Sequence, residues 1–180
     1  MKKDLKMKIK KLYVVIVLFA LFTSLNAKGK YMDNPNLPMP DDYMERPIKQ
    51  MKELLPTIHP AGYFLLSAKL YGEEKFDEAI MFLYVAQIRY KAYLAVYPNL
   101  EPSGDPALFG ALLNDVGQAV NGYAGQDISN WIVQIENAKR WHDENRYIPI
   151  AQDIHGEHYK EILDGLDEMV EELKEYEKKK

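Results

Sequence analysis

Apolar residues recur at intervals of three and four along most of the chain, which is the spacing of amphipathic helices. The clearest example runs from about Glu157 to the C-terminus, where acidic residues cover the side opposite to the apolar stripe. No segment shows the strict alternation of a half-buried strand. The pattern therefore predicts an all-α fold, a compact domain of about five to six helices. The stripe of the last helix consists of Tyr159, Ile162, Leu163, Leu166, Met169, Val170, Leu173 and Tyr176.

Residues 79–86, with the sequence Ala-Ile-Met-Phe-Leu-Tyr-Val-Ala, have no polar side. A helix that is apolar all round is normally enclosed by other helices, so we expect this segment at the centre of the fold. Asp77 is expected to cap this helix, and Pro98 to end it. A preceding helix that begins at Pro60 would complete a helix hairpin.

Capping and turn-forming residues divide the remaining sequence into further helices. The first runs from about Glu45 to Leu55 and is stopped by a proline. Asp105 is expected to cap a helix that reaches about Tyr123, and Asp127 to cap the next one. The loop from Tyr147 to Ile150 is expected to lie over the core.

The N-terminal residues have the order of a secretory signal peptide. A lysine-rich segment precedes an apolar run from Leu12 to Phe22, and small and polar residues then lead to Ala27 as the cleavage position. The alternative is a membrane anchor, which needs roughly 20 apolar residues to cross the hydrocarbon layer. We predict a cleaved signal peptide (1–27), a proline-rich linker (28–44) and one helical domain (45–180). The mature protein would be periplasmic or secreted, with no stable membrane anchor.

Charge and cysteine content narrow the range of partners. The chain has 23 basic and 27 acidic residues. The predicted signal peptide contains six lysines and one aspartate, so the mature chain keeps 17 basic and 26 acidic residues, a formal net charge of −9. Nucleic acids and anionic lipids are bound largely through Lys and Arg, so this charge disfavours both and suits a basic protein partner. The chain has no cysteine, which excludes disulfides and cysteine catalysis.

The predicted hairpin carries a pattern of aromatic, large and small residues at fixed helical positions. The residues concerned are Tyr63, Leu66, Ser67 and Leu70 in the first helix, and Phe76-Asp77-Glu78-Ala79 with Leu83 and Ala86 in the second. In this order the segment resembles a single degenerate tetratricopeptide or Sel1-type repeat. Lys91 stands where the repeat would end in proline, and no second copy follows. The stretch from Phe82 to Tyr90 is also similar to one in exported bacterial proteins. The resemblance implies a helical scaffold that binds a protein or peptide.

No catalytic signature is recognisable in the sequence. The serines of the predicted mature chain are Ser67, Ser103 and Ser129. None of them lies in Gly-x-Ser-x-Gly, and Ser67 is expected to pack in a helix interface. His155 and His158 are candidate metal ligands, because imidazole binds zinc, but their spacing also suits an ordinary helix start. His59 and His142 are expected to be structural. We predict no catalytic residues and no cofactor.

Polar residues appear at the C-terminal end of the apolar helix. A buried arginine is costly unless an acid pairs with it, so the structural interpretation of Arg89 is an internal Arg–carboxylate bond. The functional interpretation is a polar pocket, flanked by tyrosines, that holds a ligand or a partner chain. The acidic side of the last helix is a second candidate surface, or an ordinary solvated face. The candidate partner-binding residues are Tyr84, Gln87, Arg89, Tyr90, Glu168, Glu171 and Glu175.

These observations favour an exported, non-enzymatic protein-binding domain. One specific form is an inhibitor or immunity protein for a secreted toxin, since an acidic surface complements a basic enzyme. The first alternative is a scaffold or accessory subunit of a cell-envelope complex, which the repeat-like hairpin favours. The second alternative is a hydrolase that depends on a metal or on a pair of carboxylates.

Overall fold

A computed structural model describes residues 37 to 179, and this part of the chain contains helices and no strands. The all-α prediction is therefore confirmed. The predicted signal peptide and linker residues 28–36 lie outside the described residues. No helix between residues 37 and 179 is both long and apolar enough to cross a membrane. The elements are a 3-10 helix (Tyr43–Glu45), α1 (Ile48–Leu54), α2 (Ala61–Gly72), α3 (Phe76–Val96), α4 (Asp105–Leu112), a π-helix (Leu113–Gly117), α5 (Gln118–Ala124), α6 (Ile128–Glu144) and α7 (Gly156–Lys178).

Helix α3 lies at the centre of the molecule, as its apolar sequence predicts. It packs against α2, α4, α5, α6 and α7. Both Leu83 and Val85, which point to different sides of the helix, are fully buried. Contacts on all sides explain why the segment needs no polar face.

A short turn joins α2 and α3 into the predicted hairpin. The amide of Lys75 donates to the Leu70 carbonyl at 3.0 Å, and the amide of Glu74 donates to the Tyr71 carbonyl at 3.1 Å. This is the Schellman pattern of helix termination, and Glu74 takes the left-handed position with φ of 63°. Asp77 does not cap α3, because the helix already begins at Phe76 and places Asp77 in its first turn.

The hairpin interface contains the hydrogen bond expected of a buried serine. The Ser67 hydroxyl donates to the Ala79 carbonyl at 2.7 Å, between α2 and α3. The interface role predicted for Ser67 is thus confirmed, and the small residue at position 79 lets the two helices approach closely enough for this contact.

The chain from residue 105 to residue 124 is less regular than predicted. One helix was expected, but the π-helix Leu113–Gly117 separates α4 from α5. Asp105 is not the capping residue, since the residue before the helix is Gly104 and Asp105 itself is buried in the first turn. The Asp127 cap is confirmed, because its carboxylate accepts from the Asn130 amide at 2.9 Å.

Two irregular segments cover the core. Tyr147 and Ile150, in the loop between α6 and α7, are buried as predicted. Leu37 and Tyr43, from the predicted linker, also pack into the core, and the Tyr43 hydroxyl donates to the Met51 carbonyl at 3.2 Å. The described end of the linker is therefore part of the packed structure.

Candidate functional site

Arg89 is fully buried on α3, the helix that packs against α6 and α7. It follows Phe82 by two helical turns, so the two side chains leave the same side of the helix. The Phe82 ring packs edge-on against Trp141 of α6, with ring centroids 5.3 Å apart. The sequence spacing therefore directs Arg89 towards the C-terminal end of α6.

The guanidinium of Arg89 donates to neutral oxygen atoms. Nη2 donates to the backbone carbonyls of His142, at 3.2 Å, and of Asn145. Nη1 lies 3.4 Å from the Tyr159 hydroxyl oxygen. The guanidinium carbon is 5.3 Å from the centre of the Tyr147 ring and 5.7 Å from that of Tyr159, so cation–π attraction adds to the hydrogen bonds.

The predicted bond between Arg89 and a carboxylate is wrong. Within residues 37–179 no Asp or Glu pairs with the guanidinium, and Nε has no hydrogen-bond partner there. The reason lies in the position of the accepting carbonyls at the C-terminal end of α6. Such carbonyls lack partners within their own helix and carry the negative end of its dipole. The C-terminal end of α6 therefore stabilises the buried guanidinium in place of a carboxylate.

The loop after α6 is fixed around the same carbonyls. The side-chain amide of Gln152 donates to both, at 2.8 and 3.0 Å, and its oxygen accepts from the Tyr147 amide. The Tyr159 hydroxyl donates to the Ile150 carbonyl at 2.7 Å, and the Tyr147 hydroxyl to the Ile58 carbonyl at 2.8 Å. Burial raises the pKa of both tyrosines above the ordinary value, more than Arg89 lowers it, so both hydroxyls remain donors.

His142 lies between this network and the surface. It is 1% exposed, and its ring packs on the Tyr159 ring with centroids 4.5 Å apart. Burial, and secondly the charge of Arg89, lower the pKa of His142 from 6.5 to about 3. The imidazole is therefore neutral at physiological pH, and its Nδ1 has no hydrogen-bond partner among the described residues. The structural role expected for His142 agrees with this burial.

A second buried polar cluster joins α3 to the start of α4. The Asp105 carboxylate accepts from the hydroxyls of Tyr93, at 2.7 Å, and Tyr90, at 3.3 Å. His59 Nε2 lies 3.1 Å from the same carboxylate. The Nδ1 atom of His59 accepts from the Ala61 amide. Every group in this cluster is buried, which agrees with the structural role expected for His59 but not with the partner-binding role predicted for Tyr90.

Asp105 remains ionised in this cluster. Burial by itself would raise the pKa of its carboxyl, but the His59 contact and the two tyrosine hydroxyls outweigh burial and hold the pKa below the ordinary value. The sequence pattern does not predict this cluster, because an aspartate before a proline is typical of a helix cap. The spacing of Tyr90 and Tyr93, three residues apart and thus on one face of α3, was the signal that two hydroxyls share a partner.

A pocket of about 340 Å³ opens where the end of α6, the following loop and the start of α7 meet. This volume is at the lower end of the range for small-molecule sites. Two of its lining residues contact Arg89, His142 through its carbonyl and Tyr159 through its hydroxyl. The lining residues are His142, Asp143, Gln152, Gly156, Tyr159, Lys160, Leu163 and Asp164.

The candidate partner-binding residues divide into two groups. The four on α3 are buried, so a partner does not reach them in this conformation. Tyr84 accepts from the Trp131 indole at 2.8 Å and donates to Asn121 at 3.2 Å, which fixes α3 against α5 and α6. The members of this buried group are Tyr84, Gln87, Arg89 and Tyr90.

The second group lies on the exposed side of α7. Glu168, Glu171 and Glu175 are all exposed, opposite to the buried residues of the same helix. Glu171 pairs with Lys174 at 2.7 Å, and such exposed pairs contribute little to stability. These side chains are therefore accessible to another molecule.

His155 and His158 are close to each other at the start of α7. Their rings are nearly parallel, with centroids 6.4 Å apart. Among residues 37–179 no group of three or more His, Asp or Glu side chains is arranged to hold a metal ion. Two imidazoles alone are fewer than the three protein ligands of a catalytic zinc site.

Comparisons with other proteins leave the local geometry as the main guide to function. No protein-family model, curated protein or solved structure matches the chain. The arrangement offers two accessible features: the acidic side of α7 and the pocket beside its N-terminal end.

Proposed function

We propose that this protein is an exported, non-enzymatic binding domain that recognises a basic protein through the outer side of α7. The observation that carries the proposal is the row of exposed carboxylates along one side of this helix. The proposal of export rests on the order of basic, apolar and small residues in positions 1–27. The exposed acidic residues on this side are Glu157, Glu161, Asp164, Glu168, Glu171, Glu172 and Glu175, whereas Asp167 and Glu177 bond with Lys139 and Ser129 of α6.

The geometry of α7 suits a binding surface. The helix has 23 residues, which corresponds to a length of about 34 Å. Its inner side is anchored by the buried residues Tyr159, Leu166 and Val170, so the carboxylates are carried on a fixed element. A row of like charges on a rigid surface speeds association with an oppositely charged protein and selects against acidic ones.

The buried polar side chains favour a binding function over a catalytic one. The side chains best suited to catalysis are those of Arg89, His59 and Asp105. Each of them is fully buried in contacts between helices. A substrate would have to open the core to reach them. The contacts of these three side chains are those of structural groups. We therefore favour recognition of another molecule at the surface as the function.

An inhibitor or immunity protein is the specific form of this function that we favour. Such a protein must bind tightly without turning over its partner, and electrostatic attraction raises its association rate. Secreted enzymes with basic surfaces are the class of partner that an acidic helix face would complement.

Crosslinking from the acidic side of α7 tests the proposal. A photoreactive residue at Glu172, which is exposed, should capture one basic protein from an envelope extract of the producing cell. Purified partner should then bind the variant Glu168→Gln/Glu171→Gln/Glu175→Gln at least about tenfold more weakly, with a reduced dependence on salt. A titration of the two purified proteins at several salt concentrations measures both effects.

A matched variant distinguishes this surface from a general charge effect. Glu45→Gln/Glu53→Gln/Glu101→Gln removes the same charge at exposed positions on other parts of the chain. We expect this control to bind like the unchanged protein. Equal loss in both variants, or capture only by a crosslinker placed at position 53, would contradict the proposal.

A further inference from the structure

The apolar stripe of α7 is wider than the part of it that the core covers. The helix packs mainly against α6 and α3. At one edge of the stripe, Ile162 and Met169 are only half-buried, and Tyr176 on the same edge is 56% exposed. This edge is therefore a face of the helix that the other described elements leave partly open. The buried residues of the stripe are Tyr159, Leu166 and Val170.

The residues at this edge form a nearly straight column along the helix. Ile162, Met169 and Tyr176 follow one another at intervals of seven residues, so each side chain is rotated by only about 20° relative to the one before. The column extends over about 21 Å of the helix. Apolar residues that repeat every seven positions are the pattern by which helices pack side by side. We call these three residues the apolar column.

Glutamates with the same repeat accompany the apolar column. Glu161, Glu168 and Glu175 each precede one of its members by a single residue, and all three are exposed. In paired helices, the charges beside the apolar seam determine which partner is accepted. This glutamate row therefore selects a helix that carries Lys or Arg at the facing positions. A second copy of α7 is disfavoured, because it would bring glutamates of its own.

Gly165 leaves space on the helix surface beside the glutamate row. A Cβ atom added at this position would meet nothing within 4 Å, so another molecule can approach the backbone closely here. A depression of about 370 Å³ lies over Gly165, with Glu161 and Glu168 in its lining. Lys160 also lines it but pairs with Asp164 at 2.7 Å. The depression therefore has both the room and the negative charge to accept a basic side chain of another molecule.

We propose that the basic protein bound by α7 presents an amphipathic helix, which packs alongside α7 on the apolar column. The apolar residues of this partner helix contact Ile162, Met169 and Tyr176, and its Lys or Arg residues reach the glutamate row and the depression over Gly165. The length of the column corresponds to about two heptads of the partner. Exposed tyrosines are frequent anchors of such contacts. The inference rests on the proposed function, since it names the part of the partner that α7 recognises.

Two peptides of equal composition test the inference directly. The ordered peptide has three heptads, each with Leu at its first and fourth positions and Lys at its fifth and seventh. The shuffled peptide has the same residues in an order that gives no apolar side. Fluorescence anisotropy of a label on the peptide measures binding to the purified protein. We expect the ordered peptide to bind at least about tenfold more tightly, because only this peptide matches the apolar column. Equal binding of the two peptides, or no binding of the ordered one, would overturn the inference.

A variant of the column tests the place of binding without any change of charge. Gly165→Gln/Met169→Gln, the column variant, puts a side chain into the open space and an amide on the apolar edge. It should bind the ordered peptide at least about tenfold more weakly than the unchanged protein does. The matched control Gly122→Gln/Met44→Gln makes the same changes at an open glycine and a half-buried methionine elsewhere, and it should bind normally. If the column variant does not fold, Gly165→Gln alone decides, because its side chain enters open space. Equal binding by the column variant and the control contradicts the inference.

The captured partner separates failure of this inference from failure of the proposed function. Its binding is compared for the column variant and for Glu168→Gln/Glu171→Gln/Glu175→Gln. We expect both variants to lose at least about tenfold in affinity. If only the charge variant loses affinity, α7 still recognises a basic protein, but the partner helix on the apolar column is wrong. If neither variant loses affinity, both proposals are wrong.

Sedimentation of the purified protein tests whether a second copy occupies the apolar column. We expect a monomer, because the glutamate rows of two copies repel each other. A dimer that the column variant disperses would place a second copy on the column and would overturn the inference.

Discussion

Arg89 shows how a single residue can be buried without an acidic partner. Its charge is met by carbonyl groups at the end of α6 and by the faces of two tyrosine rings. Those carbonyls stand at the end of their helix, and the Gln152 amide donates to both as well. One side chain therefore satisfies a helix end and joins three elements. Its electrostatic field also accounts for part of the low pKa of His142.

The low pKa of His142 makes the stability of the protein depend on pH. In the unfolded chain the group takes up a proton as the pH falls below 6.5, whereas in the folded protein it does so only near pH 3. Stability therefore falls with pH between these values, by up to about 2 kcal/mol from this group at pH 5. Urea denaturation at pH 7 and at pH 5 measures the difference.

The variant His142→Phe provides the control for this effect. Phenylalanine keeps a ring against Tyr159 and cannot titrate, while the other histidines remain in place. The variant should lose less stability than the unchanged protein between pH 7 and pH 5. Identical losses in the two proteins would show that His142 does not contribute to the pH dependence.

At the level of elements, the sequence predicts where helices lie better than how they begin and end. The three- and four-residue spacing of apolar residues indicates α3, α6 and α7, because burying one stripe favours a helix wherever a core is available. Helix ends depend on single backbone conformations. Glu74 adopts the left-handed position at the end of α2, where glycine is usual. The π-helix Leu113–Gly117 also has no signature in the apolar pattern.

The cap of α6 is an element end that the sequence does predict, and its contribution can be measured. Asp127→Ala removes the acceptor for the Asn130 amide and should lower the free energy of unfolding by about 1 kcal/mol. Asp127→Asn keeps an acceptor and should lose about half of that or less. Urea denaturation of the three proteins makes the comparison. If the alanine and asparagine variants are equally stable, the cap does not stabilise the helix.

In the whole molecule, neighbouring elements decide which face of a helix is buried, and the local sequence does not. Polar residues that follow an apolar segment predict a partner-binding group, which here consists of Tyr84, Gln87, Arg89 and Tyr90. The structure buries them, since α4, α5, α6 and α7 all pack around α3. The carbonyls that meet Arg89 come from 53 and 56 residues further along the chain. No local pattern identifies such partners.

The pocket, like the contacts of Arg89, is formed by residues that lie apart in the sequence. Its lining comes from the last turn of α6, the connecting loop and the first turns of α7, which contribute two, one and five residues with no shared motif. The acidic face of α7, by contrast, is formed by one helix with a strong stripe. It could therefore be predicted from the sequence, and the structure leaves those carboxylates exposed.

The arrangement of the whole molecule depends on the enclosure of α3, and one measurement tests it most directly. Urea denaturation, followed by circular dichroism, is compared for Leu83→Asp and for Ala95→Asp, which places the same charge at an exposed position of the same helix. We predict that Leu83→Asp loses at least about 4 kcal/mol or fails to fold, because it buries an unpaired charge. Ala95→Asp should lose less than about 1 kcal/mol. A Leu83→Asp protein that is fully helical and as stable as Ala95→Asp would contradict an enclosed central helix.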